Sequence, residues 1–409
     1  MKQSLLDILR CPFCGTRLEL VDNDAVVRSG DTIESGVLGC QCCAFPIVAG
    51  IPVLIADDPT RAAMHALEAG RADEALAMFL GLEGDRAEAF AALRHSRDRL
   101  TYKRAIEMLS PDAEGTYFIY RFSDPTYVMA QTILEGIGQN RATVAGCVLD
   151  LCGGSGHLTR VLAALKPAGE SVLADVFFWK LWLAKEFTAP SCQPICCDAN
   201  NPLPFERDTF SMVVLSDAFP YIWHKRMLAE EMMRVAGAGG TVVMPHLHSS
   251  LGENFSAGMT LTPAAYRALF APMQPRLFSD RTLFDAAVTR GAVDLSESVT
   301  AETLDGEASL TLVASPHAEV FRRYDPVAVA DVSGELKVNP LYRPDATQPG
   351  GLLTLTFPTP EYEEEFADCK RYLAATVTLP SPLSRQALGT DYDSLRRRRI
   401  VLDAPPRYF

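Results

Sequence analysis

The sequence has no long hydrophobic run and no excess of positive charge. Within its 409 residues, no apolar stretch approaches the roughly 20 residues that a membrane-spanning helix needs. Asp7 and Arg10 interrupt the start of the chain, where a secretory signal would be apolar. Intrinsic disorder and a fibrous repeat are excluded for the bulk of the chain, because hydrophobic residues make up 48% and charged residues 22%, the usual balance of a globular protein. We therefore expect a globular cytoplasmic protein with no membrane partner.

The formal net charge is −13, from 38 basic and 51 acidic side chains. This balance argues against attraction of nucleic acid to the whole surface, although a local basic patch would still be compatible with it. Arg396–Arg399 is the one notable basic cluster, and such a run is typical of a solvated face.

Cysteine is distributed unevenly. Five of the eleven cysteines fall in the first 43 residues, and the next is Cys147. Paired spacing, an odd total and the lack of a secretory signal favour a metal site over disulfides. Two Cys-x-x-Cys pairs place four thiolates where a closed structural Zn²⁺ site needs them, so the predicted ligands are Cys11, Cys14, Cys40 and Cys43. Cys42 is either a bystander or a competitor of Cys43.

Residues 1–56 are predicted to form a small zinc-ribbon-like β module, which has too little core to be stable without a metal. The module resembles the zinc-binding domain of the tRNA-methyltransferase activator family. The matching segments are Leu5–Leu9 before the first cysteine pair, Gly36-x-Leu38-x-Cys40, Phe45-Pro46-Ile47 and Gly50–Leu54.

Residues 57–114 are rich in alanine, glutamate, arginine and leucine, with apolar residues at three- and four-residue spacing. This pattern predicts two or three amphipathic helices that connect and cover the neighbouring domains.

From residue 144 the sequence reads as a strand, a glycine loop and a helix. An apolar run ends at Asp150-Leu-Cys-Gly-Gly-Ser-Gly156, and a segment with helical spacing follows at His157–Leu165. Further strands ending in acidic residues are predicted at Ser171–Asp175 and Pro194–Asp198. Two more strands are predicted at Asp208–Asp217 and Gly239–Met244, before and after a helix at Lys225–Val235. The alternation predicts an α/β fold with a doubly wound parallel sheet and a nucleotide-type crevice at the carboxyl ends of its strands.

This region, residues 115–315, resembles the class I S-adenosylmethionine-dependent methyltransferases. Asp150–Gly156 matches their glycine loop, with Cys152 in place of the first glycine, and Pro202–Val214 matches another family segment. A Rossmann dinucleotide site fits less well, because the G-x-G-x-x-G spacing is absent. The resemblance implies S-adenosylmethionine as cofactor and a contact set of Asp150, Cys152, Gly153, Gly154, Gly156, Asp175, Val176, Asp198, Ala199, Ser216 and Arg121. Arg121, just upstream of the sheet, would either pair with the cofactor's carboxylate or belong to a helix that only packs on the sheet.

The acceptor is expected to face the ends of the fourth and fifth strands. Methyl transfer needs alignment of a nucleophile and, for some acceptors, removal of its proton, for which histidine suits neutral pH. His248 and His246 are the leading candidates, followed by His224 and Asp217. Each histidine could equally be an ordinary polar residue at a strand end. His157 is expected to line the cofactor site.

Residues 316–409 exceed what this fold needs. Strand-like segments at Val338–Tyr342, Leu352–Phe357 and Ala374–Leu379, with a helix from Glu361, predict an α+β extension. The extension would cover the mouth of the site or form a homodimer.

Three functions remain open from the sequence. The first is methyl transfer to a small molecule, which the acidic surface favours. The second is RNA methylation, against which residues 1–56 carry four basic and six acidic side chains. The third is a non-catalytic scaffold or activator whose zinc module binds a docking protein.

Overall fold

The computed structural model describes residues 1–96, 100–110, 112–165, 171–253, 258–326, 334–344 and 351–409. The chain begins with a 3₁₀ turn at Gln3–Asp7 and a five-stranded antiparallel sheet. Its strands are β1 Glu19–Leu20, β2 Val27–Ser29, β3 Thr32–Gly39, β4 Ala44–Val48 and β5 Ile51–Pro52. β3 lies in the middle and pairs with β1, β2 and β4.

Four helices follow, where the composition predicted two or three. They are α1 Asp58–Glu68, α2 Ala72–Phe79, α3 Gly84–His95 and α4 Tyr102–Leu109. The Asp57 carboxylate accepts the Thr60 N–H at 2.8 Å, and the Thr101 hydroxyl accepts the Arg104 N–H at 3.2 Å. These side chains satisfy helix N–H groups that have no partner within the helix, so they fix where α1 and α4 begin.

The next part alternates strands and helices. Its elements are α5 Ala113–Tyr120, α6 Pro125–Ile137, β6 Cys147–Leu151, α7 His157–Leu165, β7 Ser171–Asp175, α8 Phe178–Leu183, β8 Gln193–Cys196, β9 Phe210–Val214, α9 Lys225–Ala236, β10 Thr241–His248, α10 Pro263–Leu269, β11 Arg276–Ser279, α11 Asp280–Arg290, β12 Val293–Asp294, β13 Ser309–Ala314 and β14 Arg323–Tyr324. A π-helical turn, Ala184–Thr188, continues α8.

Seven of these strands form one sheet, in the order β11-β13-β10-β9-β6-β7-β8. The five strands from β10 to β8 are parallel, β13 is antiparallel to β10, and the edge strand β11 is antiparallel to β13 and so runs in the direction of the other five. The predicted α/β fold is confirmed, and the edge strand β11 is an addition to the strands predicted from the sequence. Chain order reverses between β6 and β9, which is where such sheets place a ligand crevice.

Both faces of the sheet are apolar and covered. Val148 belongs to a core shared with α4 to α8, and its neighbour Leu149 belongs to a second core with α9, α10 and the N-terminal sheet. Successive residues of a strand point to opposite faces, so each parallel strand contributes to both cores.

The N-terminal module is joined to the outer edge of the large sheet. The Leu54 N–H donates to the Cys196 carbonyl at 2.7 Å, extending β8 by a parallel bridge at Val53. A second connection pairs Leu9 with Phe205, beside an Arg10–Glu206 ion pair of 2.6 Å. The module therefore covers a strand edge that would otherwise have unpaired backbone groups.

The C-terminal part is α+β, as predicted. It contains β15 Glu335–Val338, β16 Tyr342–Pro344, β17 Leu352–Leu355, α12 Pro360–Glu365, β18 Thr376–Thr378, α13 Arg385–Leu388, α14 Tyr392–Arg397 and β19 Val401–Ala404. The prediction of one strand over Val338–Tyr342 is wrong, because the chain turns at buried Asn339 and β15 and β16 lie in different sheets. Pro340 lacks the N–H that a continuous strand would use.

None of the helices in the described ranges is both long and apolar enough to cross a membrane.

Candidate active site

The loop between β6 and α7 packs tightly against the end of β7. The Gly154 N–H donates to Asp175 Oδ2 at 2.9 Å. A side chain at Gly153 would place its first carbon 2.5 Å from the Asp150 carboxyl group, so only glycine fits there. Cys152 lies next to them with a left-handed φ of +56°, and Gly156 turns the chain into α7. The loop backbone is thus held close to the strand ends.

Asp150 is almost fully buried below this loop. The Thr159 hydroxyl donates to its Oδ2 at 2.6 Å, whereas its Oδ1 has no partner in the described part of the chain. Burial raises the pKa of Asp150 to about 7, despite the hydrogen bond from Thr159.

Two further acids lie at the ends of neighbouring strands. Asp175 ends β7, is buried, and also accepts the Phe177 N–H at 2.9 Å; burial raises its pKa. Val176 beside it is 41% exposed. Asp198 follows β8 and accepts the backbone N–H of Asn200 at 2.8 Å, next to buried Ala199. The three predicted acids therefore lie along one edge of the sheet.

Asp217 and His248 form a hydrogen-bonded pair at the ends of β9 and β10. His248 Nε2 lies 3.0 Å from Asp217 Oδ1. Burial opposes ionisation of Asp217, but the hydrogen bond from His248 and the nearby charges of His246 and Arg121 hold its pKa below the usual value. His248 Nδ1 is buried and has no partner in the described ranges, and the same holds for the hydroxyl of Ser216.

His246 has a carboxylate partner of its own. Its Nδ1 lies 3.1 Å from Asp280 Oδ2, and Thr311 donates to the other oxygen of Asp280 at 2.6 Å. Burial disfavours the charged ring, yet the hydrogen bond to Asp280 and the charge of Asp217 raise the pKa of His246 to about 9. At neutral pH this ring is therefore a cation.

The two histidine rings lie 4.6 Å apart, centroid to centroid. One nitrogen of each and one Asp217 oxygen lie within 4.8 Å of one another, a spacing that could also hold a divalent cation. Asp217 and His246 both have left-handed backbones, with φ of +57° and +59°. Such strain in non-glycine residues is common at functional sites.

Two predicted residues have other surroundings. His224 is exposed, with its Nδ1 2.9 Å from the Asn200 carbonyl, and lies outside the Asp217–His246–His248 group. Arg121 is buried and forms an ion pair with Asp124, and it donates to the Thr126 hydroxyl at 2.7 Å. Asp124 thus supplies the carboxylate that the cofactor was expected to supply.

His157 does not line the site as expected. It is buried in an aromatic cluster, with its Nε2 2.6 Å from the Tyr408 hydroxyl. Burial lowers its pKa well below the usual value, so the ring is neutral. Tyr408 also stacks on Tyr102, with ring centroids 4.3 Å apart.

The functional residues that sequence reasoning missed are Asp280, Asp124 and Glu365. Glu365 lies at the end of α12, where burial and the charges of Asp124 and Asp217 raise its pKa and the charge of His248 lowers it. Asp280 directly follows a strand that the sequence did not predict. Asp124 could have been found from the sequence as a helix cap, because it precedes Pro125, and it accepts the Thr126 N–H at 2.6 Å.

Four cysteine sulfurs form a separate cluster in the N-terminal module. They belong to Cys11, Cys14, Cys40 and Cys42 and lie within 4.8 Å of one another. Cys11–Cys42, Cys14–Cys40 and Cys40–Cys42 sulfur distances are 3.8, 3.7 and 3.6 Å. Four sulfurs bound tetrahedrally at about 2.3 Å from Zn²⁺ would be about 3.8 Å apart, so this donor set fits zinc.

The geometry favours Cys42 over the predicted Cys43. The Cys43 sulfur lies 3.4 Å from that of Cys42 but is not one of the four. Its backbone closes the turn instead, because its N–H donates to Cys40 Sγ at 3.3 Å and its carbonyl accepts the Cys40 N–H at 2.9 Å. Cys43 then leads directly into β4.

Comparison with known proteins gives a match for the segment of the chain from β6 to the end of α9. Residues 148–240 match a family model described as a methyltransferase domain. The ubiquinone/menaquinone biosynthesis C-methyltransferase UbiE of Ectopseudomonas mendocina is 33% identical over 103 residues, or 24% of this chain and 40% of that protein. UbiE of Burkholderia mallei is 34% identical over 115 residues, 26% and 46% of the two chains. The chain thus spans less than half the length of these curated relatives.

Solved structures align with up to about half of this chain. A SAM-dependent methyltransferase from Aquifex aeolicus aligns with 49% of this chain and 97% of its own, at 14% identity and a TM-score of 0.35. A chain from the complex of the Haloferax volcanii Trm112 methyltransferase activator with a methyltransferase aligns with 44% of this chain and 91% of its own length. The identity is 19% and the TM-score is 0.31. Likeness at this level carries no argument about activity.

Proposed function

We propose that this chain, whose residues 148–240 form a methyltransferase domain, transfers the methyl group of S-adenosylmethionine to a small-molecule acceptor. The observation that carries the proposal is a row of buried polar atoms without described partners: Asp150 Oδ1 on β6, Ser216 Oγ after β9 and His248 Nδ1 at the end of β10. Buried polar atoms are nearly always hydrogen-bonded in folded proteins. Three such atoms on adjacent strands support a bound ligand at this edge.

The donor set of this edge fits the cofactor. Asp175 would accept the ribose hydroxyls and Asp198 the adenine amino group, as in proteins with this loop, and the backbone of Cys152–Gly156 and the side chains of Val176 and Ala199 would surround the nucleoside. When bound, the cofactor supplies an electrophilic methyl group on a positively charged sulfur. We do not assign Arg121 to it, because Asp124 already pairs with that side chain.

The Asp217–His248 pair is our assignment for proton removal from the acceptor. Asp217, held ionised, accepts the Nε2–H of His248 and orients the ring. The unpartnered Nδ1 is then the nitrogen that can take a proton. We assign the group to proton transfer rather than to a metal because each histidine already has its own carboxylate partner.

His246 has a different role in this proposal. With a pKa of about 9 it is positively charged at neutral pH, so it would stabilise an acceptor oxygen that becomes negative as its proton leaves. A deprotonated hydroxyl delocalised into a ring can react at carbon, in keeping with the C-methyltransferase names of the curated relatives. Together with the net charge of −13, this favours a small acceptor over RNA.

We also propose that Cys11, Cys14, Cys40 and Cys42 hold a structural Zn²⁺. Four thiolates leave no position open for a substrate, and the cluster belongs to a module with a small core. The attachment of this module to β8 favours a stabilising role within the chain over a free scaffold.

Cofactor binding is the first test. Isothermal titration with S-adenosylhomocysteine should show binding, and Asp175→Ala should weaken it at least about tenfold, because a buried carboxylate would lose its hydrogen bonds to the ribose. The matched control is Asp305→Ala, which removes an exposed carboxylate outside the glycine loop and its described contacts and should leave the affinity unchanged. Absence of binding by the unaltered protein would refute the proposal.

Proton removal is tested separately. With a methyl acceptor drawn from a small-molecule extract and labelled cofactor, His248→Gln should retain S-adenosylhomocysteine affinity but lose about 10²-fold or more in transfer rate. His65→Gln, on the exposed face of α1, is the control. A His248→Gln enzyme with an unchanged rate and pH profile would contradict the assignment of this histidine.

A further inference from the structure

A cavity lies away from the site at the carboxyl ends of the parallel strands. Its volume is about 620 Å³, and it is formed by the later turns of α6 and α7 and by the C-terminal part near Arg399 and Leu402. Cavities of this size are typical of sites for small organic ligands. The proposed methyl transfer uses none of its residues.

Arg399 is built into the wall of this cavity. Its backbone is left-handed, with a φ of +55°, and its carbonyl accepts a hydrogen bond of 2.6 Å from the side chain of buried Asn339. Its guanidinium group donates to Gln131 at 2.5 Å and lies 5.5 Å from the centre of the Tyr127 ring. The basic cluster 396–399, which the sequence suggested to be solvated, thus turns one arginine inward.

The charge of Arg399 is not neutralised within the described residues. It makes no ion pair there, and its buried Nε has no hydrogen-bond partner. Burial lowers its pKa below the ordinary value. A guanidinium withdrawn from water is stabilised by an anion that compensates its charge, so the unsatisfied Nε–H indicates a negative partner in the cavity.

The two carboxylates that line the cavity form no ion pair with Arg399 among the described residues. Asp403 accepts from Arg385 at 3.0 Å and from Arg396 at 2.8 Å. Glu135 is linked to Arg399 through Gln131, which donates to it at 2.6 Å, and its charge raises the pKa of Arg399 without an ion pair. Arg160 adds a further positive charge. The remaining wall is largely apolar and includes Phe122, Val161, Ala163, Ala164, Leu165 and Leu402.

We propose that this cavity binds a small organic anion, a carboxylate or phosphate ester joined to a flat apolar body, with Arg399 as the residue that holds the charged group. The guanidinium plane offers paired N–H donors to either anion, and the apolar wall accepts the body. The site is independent of the proposed methyl transfer.

The test uses the full chain and three probes that share one ring system: 1-naphthoate, 1-naphthyl phosphate and the neutral 1-naphthalenemethanol. We expect calorimetric binding of at least one anion, with the alcohol at least about tenfold weaker, since it lacks the charge-assisted hydrogen bonds. Arg399→Gln should weaken the anion about tenfold or more, and Arg398→Gln, the exposed neighbour, should leave it unchanged. The tighter of the two anions identifies the headgroup.

A second variant covers the case in which Arg399→Gln does not fold. Ala164→Trp changes an exposed position on α7 at the cavity wall and should block the probe while the thermal melt stays cooperative. Equal binding of the alcohol, unchanged binding by Arg399→Gln or no binding by the unaltered protein would overturn the proposal. S-adenosylhomocysteine affinity, measured on the same samples, separates this failure from a failure of the proposed function.

Discussion

At the scale of single residues, the surroundings decide how equivalent groups behave. Asp150 and Asp175 are buried, and burial raises their pKa values, although the hydrogen bond from Thr159 and the charge of Lys180, respectively, act in the opposite direction. Asp217 is partly exposed, and His248, His246 and Arg121 keep its pKa low. Burial thus favours the neutral form of the first two acids, whereas the hydrogen bond from His248 favours the ionised form of Asp217.

The Asp280–His246 pair has a measurable pH signature. The pKa of His246 rises from 6.5 to about 9 in the folded chain, which stabilises the fold by up to about 3 kcal/mol. Because the folded value is the higher one, this stabilisation is complete below about pH 6.5 and disappears as the pH rises through 9. Asp280→Asn should therefore lower the unfolding free energy more at pH 6 than at pH 9.5, in urea titrations.

Asp305→Asn is the control, because this carboxylate is exposed and no hydrogen bond or ion pair of the described residues joins it to either histidine. Its effect should be small and similar at both pH values. A loss for Asp280→Asn that does not change with pH would mean that the pair acts through packing and not through charge.

At the scale of elements, the turn at Cys40–Cys43 decides which thiol faces the cluster. The turn is closed by the backbone of Cys43, so the side chain of Cys42 is directed toward Cys11 and Cys40. A spacing of one residue between the two ligands, where two were expected, follows from this backbone geometry.

Measuring bound zinc distinguishes whether Cys42 or Cys43 is the fourth ligand. Cys42→Ser should reduce bound zinc well below one per chain and lower the thermal stability of the N-terminal module, because one of four ligands is lost. Cys43→Ser should keep the zinc. Elemental analysis of both purified variants gives the answer, and the reverse pattern would restore Cys43 as the fourth ligand.

The sequence was most informative where local rules apply. The strand and helix around the glycine loop, and the acids Asp150, Asp175 and Asp198, could be predicted because each ends a short apolar run beside a turn. Asp280 could not be predicted, because its partner His246 is 34 positions away and meets it only through the antiparallel strands β11 and β13. The Arg121–Asp124 pair was missed because an arginine near the loop suggested a ligand contact.

The proposed division of the chain into four domains, at residues 1–56, 57–114, 115–315 and 316–409, stays a prediction.

At the scale of the whole molecule, distant parts of the chain complete one core. The Tyr408 hydroxyl contacts His157 and the Phe118 carbonyl at 2.6 and 2.9 Å, and its ring stacks on Tyr102. The helix that follows the glycine loop is thus packed from behind by residues of α4, α5 and the C-terminal segment.

Graded substitution of Tyr408 tests how much this contact contributes. Tyr408→Phe keeps the ring and removes the buried hydroxyl, and it should cost about 1–3 kcal/mol of unfolding free energy. Tyr408→Ala removes the ring too and should cost about 3–5 kcal/mol. Chemical denaturation of both measures the difference, and equal, negligible losses would show that the aromatic cluster does not stabilise α7.

The contact between residues 157 and 408 also sets an order of events during synthesis. The glycine loop and its helix leave the ribosome long before Tyr408 has been translated, so their packing surface stays incomplete during that interval. Contacts between residues that are 251 positions apart in the sequence form late in folding. Apolar surface that stays exposed until then is prone to aggregation. The nascent chain would therefore complete the packing around the glycine loop and α7 only after translation of the segment that contains Tyr408.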